Sequence, residues 1–199
     1  MFYTDKIVFV HPPSSGGSSV SLSFGQVDGG KEFNGRNLGS HATASEIREA
    51  MGHEEFDKRW SFSVIRNPWK RMVSLFHMYG QPGKLLKHFG EEWESIYAEV
   101  QTFKGFMMNY PRTNLPETSG SFNSSQMHWA RGVDRVFNMD NEPELNEEMA
   151  KRGYPEGITY DHFNQFNPHL PYQGYYDDEL KEMVGEWCRE DIEMCGFTF

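Results

Sequence analysis

"KIVFVHPPSSGGSSVSLSF", residues 6–24, is the stretch on which the fold turns. Lys6 to His11 is short, β-branched and apolar nearly throughout, the pattern of a parallel strand covered on both faces. The Pro/Ser/Gly run that follows ends it. "SSVSLSFGQ" then starts a helix, with Ser18 or Ser19 suited to capping it. A Gly-rich turn and the open start of a helix aim several backbone N–H groups at one place, which favours an anion. Gly16 and Gly17 allow close approach, and the hydroxyls of Ser14, Ser15, Ser18 and Ser19 add donors. A plain connecting loop is the alternative reading of this stretch taken alone. The loop is not G-x-x-x-x-G-K-[ST], because no Lys precedes its last hydroxyl residue, and this disfavours magnesium-nucleotide hydrolysis and a kinase.

Outward from this stretch, residues 25–40 hold five glycines and read as a mobile loop. "HATASEIREAMG" reads as a helix, with Thr43 and Glu46 spaced as a capping box and Gly52 as the terminator. "SFSVI", Ser61 to Ile65, is a second buried strand. "RNPWKRMVSLFHMY" opens a helix with Asn67 as cap and Pro68 at the first helical position; Met72, Leu75, Phe76 and Tyr79 form its apolar stripe. Residues 84–110 look helical, Asp134 to Met139 a third strand, and Glu142 to Arg152 a helix. Residues 153–174 read as ordered but irregular. A closing helix, about Asp177 to Cys195, buries Leu180, Val184, Trp187 and Met194 and stops at Gly196. This order predicts an α/β fold, three-layered and P-loop-like, with a central mostly parallel sheet flanked by helices.

The length of 199 residues suits one domain, 1–199, and the 15% aromatic content supplies large apolar surface for its core. Residues 1–80 carry nine Lys and Arg against eight Asp and Glu, and residues 81–199 carry ten against twenty-one. A compact anion fits a basic cluster in the first part (Lys58, Arg59, Arg66, Lys70 and Arg71), whereas a long polyanion is repelled by the second. Nucleic acid is therefore not an expected partner. No stretch approaches the ~18 apolar residues of a membrane span, and the N-terminus lacks the pattern of a signal peptide, so a cytoplasmic protein with no membrane partner is expected. Cys188 and Cys195, about 10 Å apart along one helix, are too far apart for a disulfide.

His162 and His169 lack further ligands at zinc spacing, and "DNEPE" lacks the register of a calcium loop, so no metal is expected. Phe163, Phe166, Tyr172, Tyr175 and Tyr176 could line a sugar or phenol pocket; aromatics at such spacings more often form core.

"KIVFVHPPSSGGSSV" followed by "FSVIRNPWKRMVSLFHMY" resembles the sulfotransferases that use 3′-phosphoadenosine 5′-phosphosulfate, above all the carbohydrate and heparan O-sulfotransferase branch with its bacterial and viral relatives. In that family the first loop, typically H-I-P-K-T-G-G-T-S, cradles the 5′-phosphosulfate. The second element, typically V-R-N-P-W-D-R-L-V-S, holds the 3′-phosphate with its first Arg and last Ser. The resemblance thus implies donor-binding elements at 6–20 and 61–79, with Ser14 to Ser19 as the cradle and Arg66 and Ser74 on the 3′-phosphate. It implies an acceptor-side insert at about 80–174 and a structural closing helix at 177–195. A small molecule or carbohydrate is the implied acceptor.

In "GSHATASEIREAMG" His41 matches a family His that takes the proton from the acceptor hydroxyl; a local hydrogen bond beside a helix cap is the alternative role. The family's loop Lys aligns with Ser14, which offers a hydrogen bond but no charge. Losing a positioned donor at a developing anion commonly costs ~10²–10³ in rate. Either another cation serves, with Lys31, Arg36 and Lys70 as the options, or the chemistry is slow, or the protein binds nucleotide without transfer.

Overall fold

The computed structural model describes residues 2–25, 31–32, 41–79, 99–109, 125–154 and 170–199. The chain, read from its sequence as one domain, divides into two compact units: Met1–Arg66 with Gln126–Gln165, and Asn67–Ser125 with Phe166–Phe199. The boundary falls inside the expected second donor element, between Arg66 and Asn67.

The first unit is an α/β sandwich. Its strands are β1 (Phe2–Tyr3), β2 (Ile7–Val10), β3 (Lys31–Glu32), β4 (Trp60–Ile65) and β5 (Arg135–Asn138). They form one mixed sheet in the order β3-β1-β2-β4-β5. The three longer strands are parallel, with Ile7 opposite Trp60 and Phe62 opposite Arg135. The two-residue strands β1 and β3 extend the sheet antiparallel. Neither short strand is evident in the sequence, and β3 lies inside the stretch read as a loop.

Successive side chains of β2 alternate between the two faces, so each face has its own core. Ile7, Phe9, Phe62, Val64 and Phe137 pack with Val20, Leu145 and Met149. Val20 comes from α1 (Gly17–Gly25), and Leu145 and Met149 from a helix over Glu142–Lys151. On the other face Val8 and Val10 pack with Ala42, Ala44, Ile47, Phe56 and Trp129. These residues belong to α2 (Ala44–Met51), α3 (His53–Asp57) and their flanks, and to a short helix over Met127–Ala130. Helices thus cover both faces, as the apolar strands require. Ser63, inside the buried strand, donates to the Val10 carbonyl at 3.0 Å, and Asp134 accepts from both N and Oγ of Ser61, at 2.7 and 2.9 Å. The serines of "SFSVI" are therefore satisfied.

The second unit holds α4 (Pro68–Tyr79), a helical turn over Glu99–Gln101, α5 (Phe103–Asn109), and the closing helices α8 (Asp178–Trp187) and α9 (Arg189–Cys195); in chain order the first unit's Met127–Ala130 and Glu142–Lys151 are α6 and α7. Asn67 caps α4, its Oδ1 accepting from the N–H of Trp69 and Lys70 at 3.1 and 3.3 Å while Nδ2 donates to the Thr198 carbonyl at 2.9 Å. Met72 and Leu75 are fully buried, as the stripe predicts.

The closing segment departs from its expected form. The helix breaks at Cys188, and the phase changes there: Asp191 becomes fully buried, accepting from Ser125 Oγ at 2.5 Å, while Met194 stays 53% exposed. After Gly196, Phe199 packs edge-on against Trp69, Tyr172 and Tyr176. Neither cysteine is in a disulfide, and burial pushes the Cys188 thiol up to about 12.

Among the described residues no helix is long and apolar enough to cross a membrane. No group of three or more His, Cys, Asp or Glu there is arranged to hold a metal ion.

Candidate functional site

The parallel strands β2, β4 and β5 run out at one edge of the sheet into His11, Arg66 and Met139. In open α/β sheets this carboxyl edge is where ligands bind. Met139 donates its N–H to the Ile65 carbonyl at 2.8 Å, and a Cβ added to Gly16 would overlap the Met139 side chain. The loop after β2 therefore arches to the ends of β4 and β5.

The loop is tightly folded. Pro12, Pro13 and Ser15 are buried, and Ser15 Oγ donates to the Pro12 carbonyl at 2.8 Å. Ser14 has φ +58°, in the left-handed region, where an L-residue other than Gly, Asn or Asp is uncommon and costs roughly 1–2 kcal/mol. Gly16 follows at φ +86°. Together they turn the backbone sharply into α1. That helix begins at Gly17, so Ser18 and Ser19 lie in its first turn and do not cap it.

The donors of this turn are largely unengaged. Ser19 N–H donates to the Gly16 carbonyl at 3.1 Å, but the backbone N–H groups of Ser14, Ser15, Gly16, Gly17 and Ser18 have no acceptor among the described residues. The hydroxyls of Ser14 and Ser18 likewise have no partner there. Five open N–H groups on one turn form a cradle for an anion.

Arg66 directly follows β4. Its backbone is clamped by the fully buried Gln126, whose Oε1 accepts from the Arg66 N–H at 3.0 Å and whose Nε2 donates to its carbonyl at 2.8 Å. The half-buried guanidinium makes no hydrogen bond or ion pair among the described residues. Burial lowers its pKa, and the charge of Asp140 acts in the opposite direction. It is a positioned cation with its donors open.

His41 precedes α2. The predicted capping box is present: Thr43 Oγ1 accepts from Glu46 N–H at 3.2 Å, and Glu46 Oε2 accepts from Thr43 N–H at 2.7 Å. With Ala42 and Ala44 buried, this fixes the chain on which His41 sits. Its Nδ1 is 3.0 Å from the His11 carbonyl. A carbonyl only accepts, so Nδ1 carries the hydrogen and Nε2 holds the lone pair of the neutral ring.

The first unit thus brings together Ser14 to Ser19, His41 and Arg66. Ser74 lies on α4 of the second unit, half-buried, its hydroxyl without a partner among the described residues. The expected basic cluster is not a cluster of open charges. Lys58 pairs with Glu54 and Glu55, Arg59 binds Glu55 and the Thr4 carbonyl, and Arg71 is fully buried. Of the cation options, Lys70 lies 5.9 Å over the Tyr172 ring in the second unit, while Arg36 and the Lys31 side chain fall outside the described residues. His162, His169, Phe163 and Phe166 also fall outside them. Tyr175 and Tyr176 are engaged internally: Tyr175 OH is 2.9 Å from His77 Nε2, and Tyr176 OH donates to the Trp69 carbonyl at 2.8 Å.

Sequence reasoning misses Gln126 and Met139. Both reach the site from remote parts of the chain, and no local pattern marks them. His11, by contrast, stands next to the loop and was readable only as the end of a strand. No protein-family model matches the chain, and no curated protein matches it at a significant level.

Proposed function

We propose that the protein is a sulfotransferase of P-loop-like fold that moves a sulfuryl group from 3′-phosphoadenosine 5′-phosphosulfate to an acceptor hydroxyl. The observation that carries this reading is the turn at Ser14–Ser18, whose five N–H groups have no acceptor among the described residues, at the same sheet edge as the Arg66 guanidinium, which has no hydrogen-bond or ion-pair partner among them. The cradle suits the 5′-phosphosulfate and Arg66 the 3′-phosphate, through a charged fork of donors. The part of Ser74 rests on the motif that it closes.

His41 would accept the acceptor's proton at Nε2 as the hydroxyl oxygen attacks sulfur in line. The S–O bond to the 5′-phosphate breaks, and 3′-phosphoadenosine 5′-phosphate leaves. Positioning and charge stabilisation supply the rate, with no metal called for. A small molecule or carbohydrate in the cytoplasm is the acceptor class; nucleic acid and membrane are not.

A second reading, a nucleotide-binding protein without transfer, is favoured by one observation: Ser14 puts no charge in the loop. The test is transfer of labelled sulfuryl to a panel of sugar and phenol hydroxyls. His41→Ala is expected to abolish transfer and retain nucleotide binding; unchanged turnover removes His41 from the mechanism. Ser14→Lys is expected to raise turnover. Binding without transfer by wild type and by Ser14→Lys would favour the second reading.

A further inference from the structure

His11, half-buried at the end of β2, is an imidazole that the proposed mechanism leaves unused. Phe9 stacks on it, the ring centroids 5.8 Å apart and the planes 21° from parallel, and His41 meets it edge to face at 4.7 Å. Its Cδ2–Nε2 edge lies against Gly17, since a Cβ added there would overlap those two atoms. Neither ring nitrogen has a hydrogen-bond partner among the described residues. An imidazole with both ring nitrogens unpartnered there keeps its hydrogen-bonding capacity for a ligand. Here the ring lies against the turn whose N–H groups are open.

The surroundings keep His11 neutral in the free protein. Burial, and then the charge of His41, hold its pKa well below the ordinary 6.5. Among the described side chains His41 is the titratable group that acts on it; Phe9, Gly17 and the serines of the loop bring no charge. An anion in the cradle changes this balance, because an opposite charge within a few ångströms favours the protonated ring.

We propose that His11 is the loop's cation, taking up a proton from solvent when the loop binds a phosphate- or sulfate-bearing anion and so supplying the charge that Ser14 does not. This rests on the donor-site reading. The repulsion between the two rings is mutual, so a proton on His11 disfavours one on His41, and a base must be unprotonated. Binding of the donor and readiness of the base are then coupled through one pair of rings.

The test is the titration of the His11 ring followed by NMR in the free protein, with saturating inorganic sulfate, and with saturating 3′-phosphoadenosine 5′-phosphate. Sulfate does not itself titrate between pH 5 and 8, so a change belongs to the protein. The expected result is a rise in the His11 pKa with both anions. Sulfate affinity should strengthen as pH falls, by up to about tenfold per unit, and His11→Asn should remove most of that dependence. If sulfate raises the His11 pKa but the nucleotide does not bind, His11 is the loop's cation and the donor reading falls. If the nucleotide binds and the His11 titration does not move, the donor reading stands and the His11 proposal is overturned. If neither anion binds, both fall. The NMR measurement uses wild type, so it decides the matter even if His11→Asn does not fold.

Discussion

The loop Ser14–Ser19 and the closing segment Tyr172–Phe199 treat their polar groups in opposite ways. In the closing segment they are engaged. Tyr176 OH donates to Trp69, the Lys181 carbonyl accepts from Trp69 Nε1 at 3.0 Å, the Thr198 carbonyl accepts from Asn67, and buried Asp191 accepts from Ser125. In the loop, five successive N–H groups and two hydroxyls have no partner among the described residues, and Ser14 holds a strained backbone. Satisfied groups hold a fold together, whereas an arranged set of unsatisfied donors marks a place for a ligand. On the proposed function the first region binds and the second stabilises, and substitutions in each separate the two roles.

The largest effect is expected at Gly17. An added Cβ overlaps the His11 ring, so Gly17→Ala must push the loop and His11 apart. Nucleotide binding should be lost, with a stability cost of about 1–3 kcal/mol from overpacking. Calorimetric titration and urea melts measure the two; retained affinity would mean that the loop is not the binding element. Asp191→Ala should do the reverse. It removes the Asp191 oxygen that accepts from Ser125 and empties a fully buried polar position, and should lower stability by about 2–3 kcal/mol in urea melts. Affinity at the loop should change little, and a loss as large as that of Gly17→Ala would break the comparison.

A graded effect follows from the histidines. Burial lowers the pKa of both His11 and His77 from 6.5. The unfolded chain therefore takes up protons first as pH falls, and the stability that neutral burial gives, fully present above pH 6.5, declines below it. Urea melts from pH 8 to pH 5 should show this decline. Saturating sulfate should reduce the part due to His11 and leave the part due to His77. Equal slopes with and without sulfate would contradict the coupling of His11 to the loop.

Much of this was legible in the sequence for local reasons. β2 was readable from an unbroken apolar run, β4 and β5 from short runs rich in Val, Ile and Phe, the start of α2 from Thr43 and Glu46, and the start of α4 from Asn67 and Pro68, because each signal lies within a few residues of the structure that it dictates. The sharp turn between β2 and α1 was readable because glycines and serines fill the few residues between a strand and a helix. Longer-range features were not readable. Gln126 reaches Arg66 across 60 residues, Met139 lies against Gly16 from the end of β5, and Asp191, beyond the break at Cys188, finds Ser125 across 66 residues. The basic cluster failed for the same reason: proximity in sequence did not reveal that Lys58 and Arg59 turn to Glu54 and Glu55 of α3 or that Arg71 is buried.

The most direct measurement is calorimetric titration of wild type and Arg66→Ala with 3′-phosphoadenosine 5′-phosphate. Wild type should bind in the micromolar range, and Arg66→Ala should bind about 10- to 100-fold more weakly, the loss expected when charge-assisted hydrogen bonds to a phosphate are removed. Absence of binding by wild type, or equal affinity in the two proteins, would contradict the assignment of the loop and Arg66 to a phosphosulfate nucleotide.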